Sequence, residues 1–230
     1  MTVPKIIRRS LLAGTQGISG PTVVIDTFRA FTTAAFLLDR GVDRIVLTES
    51  LDEARERSQS IAESILCGED DGLRPDDFDL GNSPTEVERF PELTGRVVVM
   101  RTSAGTRSVV NALRSGGDPV YAAGLVVAQA TVSALRSRTQ IAIVASGLSG
   151  VTVADEDEET ADLISDRLGG LLDDPARLAR IGSGTGAERL RTTPWIDPGD
   201  LERCLAVDRF DFAMRAGLED DLVVLRREDV

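Results

Sequence analysis

The side chains best suited to chemistry in this sequence fall in a few short segments. Asp26 and Arg29 stand in DTFRA, and Glu69 closes SILCGE. Asp79, Asn82 and Ser83 lie in FDLGNSPTE, while Thr102, Ser103, Gly105, Thr106 and Arg107 occupy RTSAGTR. A last segment, GLSG, precedes the acids of ADEDEE, among them Glu156 and Asp157. Carboxylates suit a hard cation such as Mg²⁺, whereas arginines and the amides of a helix N-terminus suit an anion. Together they suit phosphoryl chemistry. Each segment also has a plainer role: Asp26 fits an N-cap, the TSAGTR turn fits strand-to-helix punctuation, and the DEDEE run fits an acidic first turn. Ser83, Pro84 and Glu86 fit a capping box, with proline at the first helical position. Helix starting leaves Asp79, Gly81 and Asn82 unexplained.

Absences narrow the chemistry. The chain has no histidine, which removes phosphohistidine intermediates, Ser/His/Asp triads and histidine-ligated metals. A cysteine phosphatase carries an arginine at the sixth position after its nucleophile, but Leu73 and Phe210 stand there after Cys67 and Cys204. A haloacid-dehalogenase type requires DxD at its first strand end, and Asp26 is followed by Thr27 and Phe28. Neither a GxxxxGK[ST] loop nor a GxGxxG turn is present.

Composition bears mainly on which partners are disfavoured. A net charge of −12 disfavours nucleic acid and anionic membrane as partners, because such binding draws on basic residues. Lys5 is the only lysine among the 26 basic residues, so an anion would meet planar, bidentate guanidinium groups. The two cysteines form no CxxC pair and no export signal or transmembrane stretch is apparent, so a cytoplasmic setting is expected. RRSLLAG resembles a twin-arginine signal only until Gly14 and Gly17 interrupt it.

The elements that must position these residues alternate. TVVID, RIVLT, SILCGE, RVVVM, PVYAA and QIAIVAS are short apolar runs, and amphipathic stretches follow most of them. Helices are expected near Gly105 to Arg114, Val126 to Arg136 and Glu156 to Leu168. Near-continuous apolar strands between helices predict an α/β fold, a three-layer α/β/α arrangement on a largely parallel or mixed central sheet. FDFAMRAG and DLVVLRR around LEDD predict a C-terminal β-hairpin. Residues 171 to 198 read as short helix and surface loop, and residues 1 to 230 as a single domain. In such sheets ligands bind beyond the carboxyl ends of the strands, where the polar segments fall.

In order and spacing, VVIDTFRAFTT, GED…FDLGNSP, RTSAGTR, ASGLSG…DED and AVDRFDF resemble the motifs of the 2-phosphosulfolactate phosphatase family over nearly the whole chain. The resemblance implies a Mg²⁺-dependent acid phosphatase with its own type of α/β fold. Its reaction converts 2-phospho-3-sulfolactate to 3-sulfolactate and phosphate in coenzyme M biosynthesis. Position by position it picks out Asp26, Arg29, Glu69, Asp79, Gly81, Asn82, Ser83, Pro84, Gly105, Thr106, Arg107, Gly147, Glu156 and Asp157. It implies Mg²⁺ on Glu69, Asp79 and Glu156 or Asp157, with Arg29, Arg107 and the amides near Thr106 on the phosphoryl oxygens. Asn82, Ser83, Ser103 and Gly105 complete the substrate contacts, and Asp26 serves as nucleophile or as general base. Ala104 stands where the family usually has asparagine, Arg101 where a small polar residue is common, and Asp77 where glycine is usual. Another small phosphorylated hydroxy acid, or a silent binder of one, is the alternative expectation. A homo-oligomer is compatible with the sequence.

Overall fold

The computed structural model describes residues 3–230. The valine- and isoleucine-rich runs form strands, because β-branched side chains pack well on a pleated surface. In chain order these are β1 (Lys5–Ser10), β2 (Gly20–Ile25), β3 (Arg44–Thr48), β4 (Ile65–Gly68), β5 (Val97–Arg101), β6 (Gly117–Ala123), β7 (Gln140–Ala145), β8 (Phe212–Glu219) and β9 (Leu222–Asp229). The helices are α1 (Ala30–Asp39), α2 (Leu51–Ser60), α3 (Pro84–Arg89), α4 (Gly105–Arg114), α5 (Ala128–Leu135), α6 (Asp155–Leu168), α7 (Arg177–Ser183), α8 (Thr185–Thr192) and α9 (Asp200–Cys204). Helix α2 begins as its sequence suggests, with Ser50 Oγ accepting from the Glu53 amide at 3.1 Å.

The sheet is mixed and continuous, ordered β1-β7-β2-β6-β8-β9-β3-β5-β4. One parallel group contains β1, β7, β2 and β6. A second contains β3, β5 and β4. The C-terminal hairpin β8–β9 is inserted between them and pairs antiparallel with β6 on one side and β3 on the other. Strand β1, over residues 5–10, is not among the apolar runs that the sequence marks as strands. It takes the sheet edge against β7.

Three antiparallel junctions reverse the strand direction between the two parallel groups. A flat sheet would therefore place their carboxyl ends on opposite edges. Strands in a sheet twist by roughly 20–25° per step, so the sheet is not flat. The carboxyl ends of β2 and β5 converge, and α4 packs across both groups.

Strand alternation covers the β3–β5 half on both faces. Val46, Val99 and Val224 face α2 in a small core with Ala54 and Phe78. Their neighbours Ile45, Leu47, Val98, Met100 and Leu225 belong to the main core. Phe212 is fully buried in the inserted hairpin and stacks on Phe210 with ring centroids 5.5 Å apart. Truncation Phe212→Ala removes a filled position at the junction of the two groups. It should lower unfolding stability by about 3–5 kcal/mol, read as a reduced urea midpoint.

Candidate active site

The strand ends and loops enclose one cleft of about 320 Å³. Its floor carries Asp26, Arg29, Glu69, Asn82, Ser103, Glu156 and Asp157, from both parallel groups. Its other wall comes from α8 and the segment that follows it, with Arg189, Leu190, Thr193, Trp195 and Ile196.

Asp26 follows β2 at the meeting point of two helix N-termini. Its Oδ1 accepts from the Ala30 amide at the start of α1, 3.1 Å away. Its Oδ2 lies 2.7 Å from the place a Cβ on Gly105, the first residue of α4, would occupy. Only glycine allows that approach. Burial pushes the Asp26 carboxyl up to about 7; the amides of Ala30 and Gly105 pull it down, while the charges of Glu69 and Glu156 add to the rise. A group that exchanges its proton near neutrality suits general acid–base work.

The neighbouring acids are fixed by backbone donors. Asp157 accepts from the Thr27 amide at 2.7 Å and the Gly147 amide at 2.9 Å. Burial, followed by the charges of Asp26 and Glu156, holds its carboxyl well above the usual carboxylate range. Glu69 accepts from the Ser103 amide at 2.6 Å, from Ser103 Oγ at 2.9 Å and from the Gly72 amide at 2.6 Å. Burial also raises Glu156, whose carboxylate packs against α8 so closely that a Cβ on Gly186 would sit 2.4 Å from it.

Arg29 is the buried cation of the cleft. Its peptide bond with Phe28 is cis, and its guanidinium donates to Asp200 Oδ2 at 2.8 Å. The other oxygen of Asp200 accepts from Ser83 Oγ at 2.7 Å and from the Thr85 amide at 3.1 Å. Asp200, fully buried at the start of α9, thereby ties α1, α3 and α9 together.

The sequence profile described as 2-phosphosulpholactate phosphatase matches residues 9–217. The chain belongs to that family of phosphoric monoester hydrolases. A Deinococcus radiodurans relative is 37% identical over 180 residues, covering 74% of each chain. One from Pseudothermotoga lettingae is 36% identical over 161 residues, 69% of this chain and 66% of the relative. One from Thermoplasma acidophilum is 32% identical over 186 residues, 81% of each. All three carry the name "Probable 2-phosphosulfolactate phosphatase".

Of the residues the family resemblance selects, the structure gathers Asp26, Arg29, Glu69, Asn82, Ser103, Glu156 and Asp157 in the cleft. Gly105 abuts Asp26. It does not bring Asp79 there. Residues 78–80 run beside β4 through a parallel bridge from Cys67 to Leu80, and strand alternation turns Phe78 and Leu80 inward. Asp79 therefore faces outward, its Oδ2 accepting from the Leu66 amide at 2.8 Å. Asn82 lies two positions beyond Leu80, buried on the cleft side, and its Oδ1 has no hydrogen-bond partner in the protein.

Three expected phosphate ligands make hydrogen bonds within the protein. Ser83 Oγ donates to Asp200 and accepts from the Glu86 amide at 3.2 Å, as an N-cap should. The Glu86 carboxylate does not return to Ser83 but takes the Gly81 amide at 2.8 Å, so half of the anticipated capping box is displaced. The Thr106 amide donates to Thr102 Oγ1 at 3.1 Å, while Thr106 Oγ1 accepts from the Thr102 amide at 2.9 Å. Arg107 donates to the Ser103 carbonyl at 3.3 Å and does not line the cleft. Ala104 does line it, at the position where the family usually has asparagine.

Asp200 and Arg189 went unnoticed in the sequence. Asp200 looks like an ordinary first-turn acid, and Arg189 is one arginine among many in a loosely patterned stretch. Both cysteines are buried and free, and burial pushes their thiols up, which removes thiolate chemistry.

Asp26 titrates near 7 when folded against an ordinary value of 3.8. The folded chain therefore holds a proton that the unfolded chain releases, and stability present below about pH 4 is lost as pH rises through about 7. Asp26→Asn should raise unfolding stability at pH 8 by about 1–3 kcal/mol, read as a higher urea midpoint, with the gain vanishing below about pH 4. Asp200→Ala leaves Arg29 buried and unpaired and should cost about 3–5 kcal/mol in urea unfolding.

Proposed function

We propose that this protein is a Mg²⁺-dependent phosphatase that hydrolyses 2-phospho-3-sulfolactate to 3-sulfolactate and phosphate in the cytoplasm. Family membership supports the reaction class. The observation that carries the site assignment is geometric: Asp26 is buried between the N-termini of α1 and α4 and faces a cleft that also holds Arg29, Glu69 and Glu156. No helix among the described residues is long and apolar enough to cross a membrane.

The cleft fits a hard cation in one mode. Among the described residues no three acidic side chains converge into an all-carboxylate cage. Mg²⁺ does not require one, since it is usually bound through one or two carboxylates while keeping waters and substrate oxygens. Buried like charges and the unpartnered Oδ1 of Asn82 are donors of that kind. Glu69, Glu156 and Asn82 would hold the ion, and it would neutralise charge on the phosphoryl oxygens.

Arg29 binds a phosphoryl oxygen through N–H groups not given to Asp200, and Asp200 keeps its guanidinium in place. Asp26 removes a proton from the attacking water as its oxygen bonds to phosphorus. The ester C–O oxygen leaves with the electron pair of the P–O bond, and the proton held on Asp26 is available to it. Asp157, with both oxygens on backbone amides, keeps the Asp26 loop and the Gly147 turn fixed against one another.

Replacing the family's asparagine by Ala104 removes a polar group from the cleft wall. That observation favours a second reading, in which the substrate is a different small phosphorylated hydroxy acid. Purified protein with Mg²⁺ should release phosphate from 2-phospho-3-sulfolactate faster than from a panel of phosphorylated hydroxy acids. Preference for another member of the panel selects the second reading, and binding without release marks a silent site. Asp26→Asn should lower kcat by about 10²–10⁴-fold while the protein stays folded by circular dichroism; an active mutant removes Asp26 from the mechanism.

A further inference from the structure

We infer that Arg189, in α8, recognises the second acidic group of the substrate and so sets specificity. The inference rests on the reading of the cleft as a phosphatase site.

Two guanidinium groups line the cleft, and they are not equivalent. Arg29 is buried on the Asp26 floor and already paired with Asp200 at 2.8 Å. Arg189 stands on the opposite wall with 35% of its side chain exposed. Among the described residues its guanidinium makes no hydrogen bond, and its one ion pair reaches Glu156 Oε1 at 3.9 Å, beyond hydrogen-bonding range. It is a cation aimed into an acidic cleft without a committed acceptor.

Its surroundings define what it takes. Leu190, Ile196 and the exposed Trp195 flank it on that wall, so the guanidinium is the charged feature of an otherwise largely apolar face. A substrate placing its phosphoryl group beside Asp26 and Arg29 extends the rest of its body toward this wall. A carboxylate or sulfonate there meets a planar fork that either oxyanion can accept in two places. A neutral tail leaves the guanidinium with only its distant contact to Glu156. Arg101 and Arg107, the other arginines near the floor, donate instead to the Glu69 and Ser103 carbonyls and do not line the cleft.

The test compares wild type with Arg189→Ala and Arg189→Lys in two measurements. Calorimetry follows binding of 3-sulfolactate and of inorganic phosphate. Kinetics follow phosphate release from 2-phospho-3-sulfolactate, 2-phospholactate and phenyl phosphate. In Arg189→Ala the 3-sulfolactate dissociation constant should rise ~10-fold or more, with a clearly smaller change for phosphate, as expected for loss of a charge-assisted pair. KM for 2-phospho-3-sulfolactate should rise with little change in kcat, and the loss should exceed that for phenyl phosphate by ~10-fold. Arg189→Lys should fall between the two. If 2-phospholactate shares the loss, the carboxylate is the group recognised; if it does not, the sulfonate is. Equal losses on every ligand, or none on any, overturn the inference, as does a wild type that fails to bind 3-sulfolactate. Should the wild type release no phosphate yet bind 3-sulfolactate through Arg189, the phosphatase reading falls and the role of Arg189 stands.

Discussion

Like charges do not share a buried cleft unless something holds them there. Asp26, Glu156 and Asp157 are each drawn out of water; the charge of Glu156 makes ionisation of Asp26 and Asp157 harder, and that of Asp26 does the same to Asp157. The architecture answers this group by group. Two helix N-termini meet at Asp26, the amides of Thr27 and Gly147 grip Asp157, and Ser103 and Gly72 hold Glu69. Backbone donors are suited to this because they cannot swing away as a lysine could.

The same economy governs the cations. Arg29 is kept buried by Asp200, whose other oxygen also caps the start of α3 through Ser83 and Thr85. A single buried acid thus holds the cleft arginine and a structural helix start at once. Removing such a partner strands the other charge, which is why buried pairs behave asymmetrically under mutation. Helix α3, which opens on Pro84 beside the cleft, accordingly spends its first amides on Asp200 and Ser83 and not on a ligand.

The inserted hairpin decides where the floor lies. By separating two parallel groups and reversing one against the other, β8–β9 would scatter the strand ends if the sheet were flat. The strand ends nonetheless meet, and α4 bridges both groups with its first residue against Asp26. The loosely patterned stretch after α6 then closes the cleft from the other side with Arg189 and Trp195. Floor and wall come from segments of different character: ordered strand ends, and a stretch with few local signals.

Much of this was legible in the order of residue types. Apolar β-branched runs, helix starts such as Ser50, and the five polar segments with their family likeness identify an α/β phosphatase-type chain and most of its cleft residues, because local pattern and local chemistry coincide there. Period-two alternation could have warned that Asp79, between Phe78 and Leu80, faces away. Other features depend on distance in three dimensions. Whether the Thr106 amide or Ser83 hydroxyl meets a ligand or a neighbour turns on which atom lies within hydrogen-bonding reach, and Thr102 and Asp200 take them. The burial of Asp200, the facing of Arg189 and the central place of the hairpin arise from contacts between residues far apart in the chain. A string of residues carries no signal for such contacts, because the free energy that selects them exists only once the surfaces meet.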